Sequence, residues 1–364
     1  MKNINPFKFG SIVDDPYFTD RKKELNQVKQ VLKSQNHLIL ISPRRYGKTS
    51  LMMKALSQTD RPAIFLNLQL ITDVNDFASQ LLKRIYRVYP FEHLKQFVKN
   101  FRWVPTLSLN PNSNEIEVSF LGAKTAYPPL EDVLNMLEHL GEKGKRPILV
   151  LDEFQDILRI GKNLDNQLRA TLQQHKNVNY VFLGSMESMM RSIFEKKKSP
   201  FYHFGQLMYL ERIPEKDFLD YLQKGFENKI SEPLGVAKKI LAFTQSHPYY
   251  TQQLAFEVWE DQPEAHSEII EKAILKHIQI HDMDYERLWL TQNQTDRKVL
   301  IALANKEENI LSDSFKQSYG LPATSTVYSS LKRLVKQGYI NKVEAHYEID
   351  DPYFAHWIKY NRET

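Results

Sequence analysis

The stretch Ser42-Pro43-Arg44-Arg45-Tyr46-Gly47-Lys48-Thr49 carries the most legible chemistry in this chain. It lies between an apolar strand-like run, Leu38-Ile39-Leu40-Ile41, and a helix-like run that begins Ser50-Leu51-Met52-Met53. In a strand–loop–helix setting, loop N–H groups and the positive end of the following helix face an anion, which is how nucleotide phosphates are cradled. The ending Gly47-Lys48-Thr49 assigns Lys48 to the β- and γ-phosphates and the Thr49 hydroxyl to Mg²⁺, with residues 42–50 forming the loop. The usual pattern fails at its first position, where Ser42 stands in place of glycine.

A second constellation follows about a hundred residues later. Arg146-Pro147 opens an unbroken apolar run, Ile148-Leu149-Val150-Leu151, that ends in Asp152-Glu153. Such a run reads as a strand buried on both faces of a parallel sheet. Its carboxyl end is where open α/β sheets place their ligands. There Asp152 would hold Mg²⁺ through water, and Glu153 would act as general base toward the water that attacks the γ-phosphate. A plain strand end followed by a solvated cap is the competing reading of the same two residues.

With 364 residues the chain can hold two or three folding units. The absence of cysteine excludes disulfides and thiolate metal sites. The opening residues, Met1-Lys2-Asn3-Ile4-Asn5-Pro6, contain no apolar signal core, and no stretch approaches a membrane span, so a soluble, cytoplasmic protein is expected. A net charge of +5 permits nucleic-acid contact without demanding it.

The elements that must position these residues alternate. A helix bearing Leu25, Val28, Val31 and Leu32, with Asp20 as N-cap, precedes the first strand. Strands are expected at Ala63–Leu68, Ile148–Leu151, Tyr180–Leu183 and Leu207–Leu210, with helical patterns between them, which implies βαβ units and a mainly parallel sheet. Thr106–Leu109 and Glu115–Phe120 form a predicted hairpin insertion over 105–121, read either as a sheet extension covering an edge or as a partner-binding arm. The expected boundaries are an α/β core over 1–213, an all-α lid over 214–285 and a C-terminal unit over 290–364.

That last unit reads as a winged helix-turn-helix. Thr295 caps a helix over Asp296–Ala304, Ser312 or Asp313 starts a short second helix with Phe315 and Tyr319, and a third carries Val327, Leu331, Leu334 and Val335 at helical spacing. Tyr339-Ile340 and His346–Ile349 supply two strands. The exposed face of the third helix bears Thr324, Ser325, Tyr328, Ser329, Lys332, Arg333 and Lys336, suited to base edges and phosphates, while Glu344, Asp350 and Asp351 oppose DNA contact.

Taken together, the order of parts resembles the archaeal-type ATPase family of P-loop NTPases, close to the STAND and AAA+ proteins. The matching residues are Phe18-Thr19-Asp20-Arg21, Pro43–Ser50 with its arginine pair, Leu151-Asp152-Glu153-Phe154, Gly184-Ser185, Ser246-His247-Pro248-Tyr249 and the winged helix. The resemblance implies ATP or ADP with Mg²⁺, a polar γ-phosphate sensor at Ser185, and a His247-Pro248 turn against the adenine. For these two sites a capping serine and an ordinary helix break are the competing readings. It also suggests contact of Arg44 and Arg45 with phosphates or a neighbouring subunit. Many members carry an arginine before the last strand of the sheet. Residues 200–206 have none here, so no arginine finger is assigned, and Arg191 and Arg212 are candidates only.

Three functions fit. The first is a slowly hydrolysing, nucleotide-dependent switch with a winged-helix output. The second is an ATPase that assembles on DNA, by self-association or with a protein partner, and the third a non-hydrolysing, ADP-bound scaffold. No phosphoacceptor pocket is legible for a small-molecule kinase.

Overall fold

The structure is a computed structural model that describes residues 4–98, 101, 104–109, 116–121, 129–227, 229–260, 268–305, 312, 317–343 and 346–362. The chain divides into two compact units, one over Arg21–Glu211 and one combining Met1–Asp20 with Arg212–Thr364. The opening segment, grouped with the core in the boundaries expected above, thus clusters with the later helices.

In the first unit, strands β1 (Leu38–Ile41), β2 (Ala63–Asn67), β3 (Val104–Leu109), β4 (Ile116–Leu121), β5 (Ile148–Asp152), β6 (Asn179–Gly184) and β7 (Gln206–Tyr209) alternate with helices. Five of them form one parallel sheet in the order β2–β5–β6–β1–β7. Every residue of β1, β5 and β6 is buried, as expected for central strands covered on both faces. Each buried Leu, Ile or Val side chain contributes about 1.5–3 kcal/mol by leaving water. The edge strand β7 instead exposes Leu207 and Tyr209. Ile41 pairs with Gly184 and Asn67 with Asp152, so the carboxyl ends of these strands share one rim.

The hairpin β3–β4 is antiparallel and forms its own two-stranded sheet rather than extending the parallel one. Val118 is buried in the core of the first unit, beside the helix Val74–Val88. Residues 110–115 of its turn lie outside the described part. Helix α1 (Lys22–Lys33) starts one residue later than Asp20 would have set it. Its N-cap is Arg21, in left-handed backbone with φ 59° and without a side-chain cap bond.

The second unit contains the helices Glu215–Phe226, Pro233–Thr244, Pro248–Glu260, Glu268–Ile280 and Asp282–Leu290, with no strand among the described residues of 214–285. Phe7 of the opening segment enters their core, 4.7 Å from the Phe226 ring. Then follow Gln294–Ala304, Thr324–Gln337, β8 (Ile340–Val343), β9 (His346–Ile349) and a closing helix, Pro352–Asn361. Gln294–Ala304 is capped by Asn293, whose side chain accepts from Asp296 N, rather than by Thr295. Residues 313–316, with Phe315, lie outside the described part. The closing helix was not anticipated, although Asp351 before Pro352 is a start signal: its carboxylate accepts from Tyr353 N and Phe354 N. Among the described residues, no helix is long and apolar enough to cross a membrane.

Candidate active site

The loop after β1 turns because two of its residues adopt left-handed backbone, Arg45 at φ 65° and Gly47 at φ 87°. Gly47 is the N-cap of helix α2 (Lys48–Ser57), so the first backbone N–H groups of α2 have no partner within the helix and face the loop mouth. Ser42 is buried and does not have a positive φ; its hydroxyl donates to Pro43 O at 3.1 Å. Serine therefore fits the first position of the loop, because the backbone conformation there does not require glycine.

Lys48 is buried, and its ammonium donates to Ser42 O at 2.9 Å and Pro43 O at 2.8 Å. Burial pushes its pKa down to about 8, with the Glu153 and Asp152 carboxylates opposing that shift. Tyr46 is buried, whereas Arg44 and Arg45 are exposed. Pro43, Thr49 and Ser50 are half-buried.

The second half of the site lies on the same rim. Thr49 Oγ1 donates to Asp152 Oδ2 at 3.3 Å, joining the start of α2 to the end of β5. Burial raises the pKa of Asp152, and the neighbouring Glu153 adds to the rise. Glu153 stands in left-handed backbone, φ 52°. Its Oε2 accepts from Ser185 Oγ at 2.6 Å and from Gln155 Nε2. Ser185 follows β6, and Ser42 N donates to Gly184 O at 3.2 Å, so the loop and the serine are held at neighbouring strand ends. The structure thus brings together Ser42, Lys48, Thr49, Asp152, Glu153 and Ser185 from three separate stretches of the sequence.

The hydroxyl of Thr49 and the carboxylate of Asp152 are hard oxygen donors suited to Mg²⁺. No cluster of three or more His, Cys, Asp or Glu that could hold a metal occurs among the described residues. Two side-chain ligands fit an ion that keeps water and takes its other ligands from substrate phosphates.

One positioning residue went unassigned in the sequence reading. Arg21 is 4% exposed, donates to Tyr46 O at 3.4 Å and Glu211 O at 2.6 Å, and pairs with Glu24 at 2.8 Å. It ties the loop backbone to the residue that ends the first unit. Its position in the Phe18–Arg21 stretch was visible, but its contact with the loop required the fold.

In the second unit His247 is fully buried at the turn before Pro248–Glu260. It lies 3.6 Å from Asp350, and its Nδ1 accepts from Tyr249 N at 3.2 Å. Pro248 is the first residue of that helix. These contacts are internal to the unit, so a role for His247 and Pro248 against the adenine rests on the resemblance. Arg212 donates to Gln245 O at 3.0 Å and pairs with Glu348, whose pKa is raised by burial. Arg191 pairs with Glu187 at 2.6 Å.

On Thr324–Gln337, the side chains of Thr324, Ser325, Tyr328, Ser329, Lys332 and Lys336 are exposed, as the helical pattern requires. Lys332 stands over the Tyr328 ring at 4.5 Å. Arg333 is exposed as well, but its head group is engaged. Its guanidinium makes a bidentate contact with buried Asp296, at 2.8 and 2.6 Å, and Ser330 donates to the same carboxylate. It fastens two helices of the winged helix while its side chain stays 42% exposed, so the contact with Asp296 competes with the expected phosphate contact without removing it.

Comparison with known proteins bears on both units. A family model described as an ATPase domain predominantly from Archaea matches residues 18–254. This chain belongs to that family. A second model, described as a probable winged helix domain, matches residues 283–360 of this archaeal-type ATPase. An uncharacterized ATP-binding protein of Methanocaldococcus jannaschii is 24% identical over 325 residues, covering 84% of this chain and 88% of its own. The Walker-type ATPase of Pyrococcus abyssi superposes with a TM-score of 0.68 at 18% identity, over 96% of this chain and 99% of the other. The ORC2 protein of Aeropyrum pernix, in its ADP form, gives 0.50 at 14% identity over 95% and 94%. At these identities the two structures support the parallel-sheet P-loop fold.

Proposed function

We propose that this archaeal-type ATPase binds ATP with Mg²⁺, hydrolyses it slowly and acts as a nucleotide-dependent switch whose output module is the winged helix. The observation that carries the reading is the convergence of Lys48, Thr49, Asp152, Glu153 and Ser185 on one rim of the sheet. The relatives described as ATP-binding support it.

In this reading the amides at the start of α2 and the Lys48 ammonium bind the phosphates. Lys48 exchanges its two loop carbonyls for phosphate oxygens. Thr49 and Asp152 would hold Mg²⁺, which neutralises phosphate charge when bound. Glu153 accepts the proton of the attacking water, and Ser185 donates its hydroxyl to the γ-phosphate. Since neither Arg191 nor Arg212 is assigned as a finger, turnover is slow, as intrinsic P-loop hydrolysis is without one. A ligand of this kind shifts a two-state equilibrium only by its differential affinity for the two states. The test is binding of a non-hydrolysable ATP analogue to Lys48→Ala, with hydrolysis by Glu153→Gln measured alongside. Wild-type analogue affinity in Lys48→Ala would sink the reading. Loss of binding there, with no hydrolysis by the wild type for Glu153→Gln to lower, would leave a non-hydrolysing, nucleotide-bound scaffold.

A second reading, DNA contact, is favoured by the exposed Thr324, Ser325, Tyr328, Lys332 and Lys336 on one helix face. It requires salt-sensitive DNA binding that weakens when Lys332 and Lys336 are replaced by alanine. No binding by the wild type at low salt excludes it.

A further inference from the structure

Gln155 follows Glu153 by two residues, within the short turn Phe154–Asp156, and is 2% exposed. Its Nε2 donates to Glu153 Oε2, the same oxygen that accepts the Ser185 hydroxyl. Its Oε1 is buried and has no hydrogen-bond partner among the described residues. Leaving a buried polar atom unsatisfied costs about 1–3 kcal/mol, whereas a leucine or methionine of similar volume would fill the same space without that cost. Packing therefore does not account for an amide at this position. The hydrogen bond to Glu153 does.

Glu153 also needs holding. Its backbone φ of 52° is a conformation that non-glycine residues adopt at a cost of about 1–2 kcal/mol, and Asp152 adjoins it. Ser185 carries a single O–H, which can serve either the Glu153 carboxylate or a phosphate oxygen, but not both at once.

Building on the reading of Glu153 as general base and Ser185 as phosphate sensor, we infer that Gln155 is the positioning residue of the base. When Ser185 turns its proton to the γ-phosphate, Gln155 keeps Glu153 Oε2 fixed and leaves Oε1 to take the water proton. The amide acts through Glu153 and touches no reacting atom.

The experiment compares ATP hydrolysis by the full chain and by Gln155→Leu, Gln155→Glu, Glu153→Gln and the double variant Glu153→Gln/Gln155→Leu. Affinity for a non-hydrolysable ATP analogue is measured for each. Gln155→Leu is expected to lower kcat about tenfold, the worth of one charge-assisted hydrogen bond, with KM and analogue affinity unchanged to about twofold. Gln155→Glu keeps the shape but sets a second carboxyl against the Glu153 carboxylate, which perturbs the base directly, and should lower kcat at least as far, again with analogue affinity kept. The double variant should be no slower than Glu153→Gln alone. Full kcat in both Gln155 variants, parallel loss of analogue binding and kcat, or additive loss in the double variant each overturn the inference. Should Glu153→Gln hydrolyse ATP at the wild-type rate, the base assignment fails and the inference with it. An inactive Glu153→Gln beside fully active Gln155 variants removes the inference alone.

Discussion

The burial of Lys48 makes nucleotide binding a proton-linked event. Its pKa falls from 10.5 to about 8 because the ammonium is buried, the Glu153 and Asp152 carboxylates only partly opposing the shift. At 1.36 kcal/mol per unit, the charged form is about 3 kcal/mol less favourable there than in water. Phosphate oxygens supply negative charge to the same ammonium and return its pKa toward or above the ordinary value. At pH 9 the loop holds its lysine about one-tenth protonated before binding and nearly fully protonated after, so binding takes up about 0.9 proton. At pH 7 the uptake is about 0.1 proton, because the lysine is already charged. The sign follows: affinity is greatest below pH 8 and falls toward tenfold per pH unit above it, until the pKa of the complex is reached. Calorimetry of a non-hydrolysable ATP analogue, in two buffers of different ionisation enthalpy, reads the uptake directly. Using Glu153→Gln protein removes residual turnover. Identical enthalpies in the two buffers at pH 9 would refute the argument, since they would mean that Lys48 gains no proton on meeting phosphate.

Other expectations rest on different parts of the chain. Ser185→Ala should reduce kcat about tenfold with analogue affinity nearly unchanged, as seen in parallel hydrolysis and binding measurements. Arg333→Ala leaves the carboxylate of Asp296, buried inside the winged helix, with Ser330 and Asn293 as its side-chain donors among the described residues, and should cost about 1 kcal/mol in denaturant unfolding, since the arginine itself is partly exposed. Lys332→Ala and Lys336→Ala, on the exposed face, should stay within about 0.5 kcal/mol of wild type. A Cβ at Gly225 would lie 2.4 Å from the Phe7 ring, so Gly225→Ala should dislodge the opening segment. Faster proteolysis near residues 4–20, with analogue binding retained, is the expected reading; unchanged protection contradicts it.

Much of the site was legible because its residues are adjacent in sequence or end a recognisable strand. Gly47-Lys48-Thr49 and Asp152-Glu153 each announce their chemistry through residue type and the apolar run beside them, and the five parallel strands fall within a residue or two of their expected places at each end. Local signals failed where another residue nearby could do the same job. Asn293 displaced Thr295 as a cap, and left-handed backbone at Arg21 set the start of α1 in place of Asp20. The closing helix Pro352–Asn361 was missed although its cap and proline were in view, because its aromatic residues pack inward without a clean polar face: Tyr353, Phe354 and Trp357 are all buried.

By itself the sequence determined the candidate residues of the site and the chemistry proposed for them, since phosphate-binding and proton-accepting groups depend on residue type and short spacing. It also determined the alternation of strands and helices, which hydrophobic periodicity encodes. The tertiary structure alone decided the strand order that sets Ser185 beside Glu153, and the hairpin's separation from the parallel sheet. It also showed that Arg333 pairs with Asp296, that Arg21 grips the loop, and that Gln155 is spent on Glu153. Each of these turns on which groups meet across the fold, through hydrogen bonds between residues whose separation in the chain carries no periodic signal.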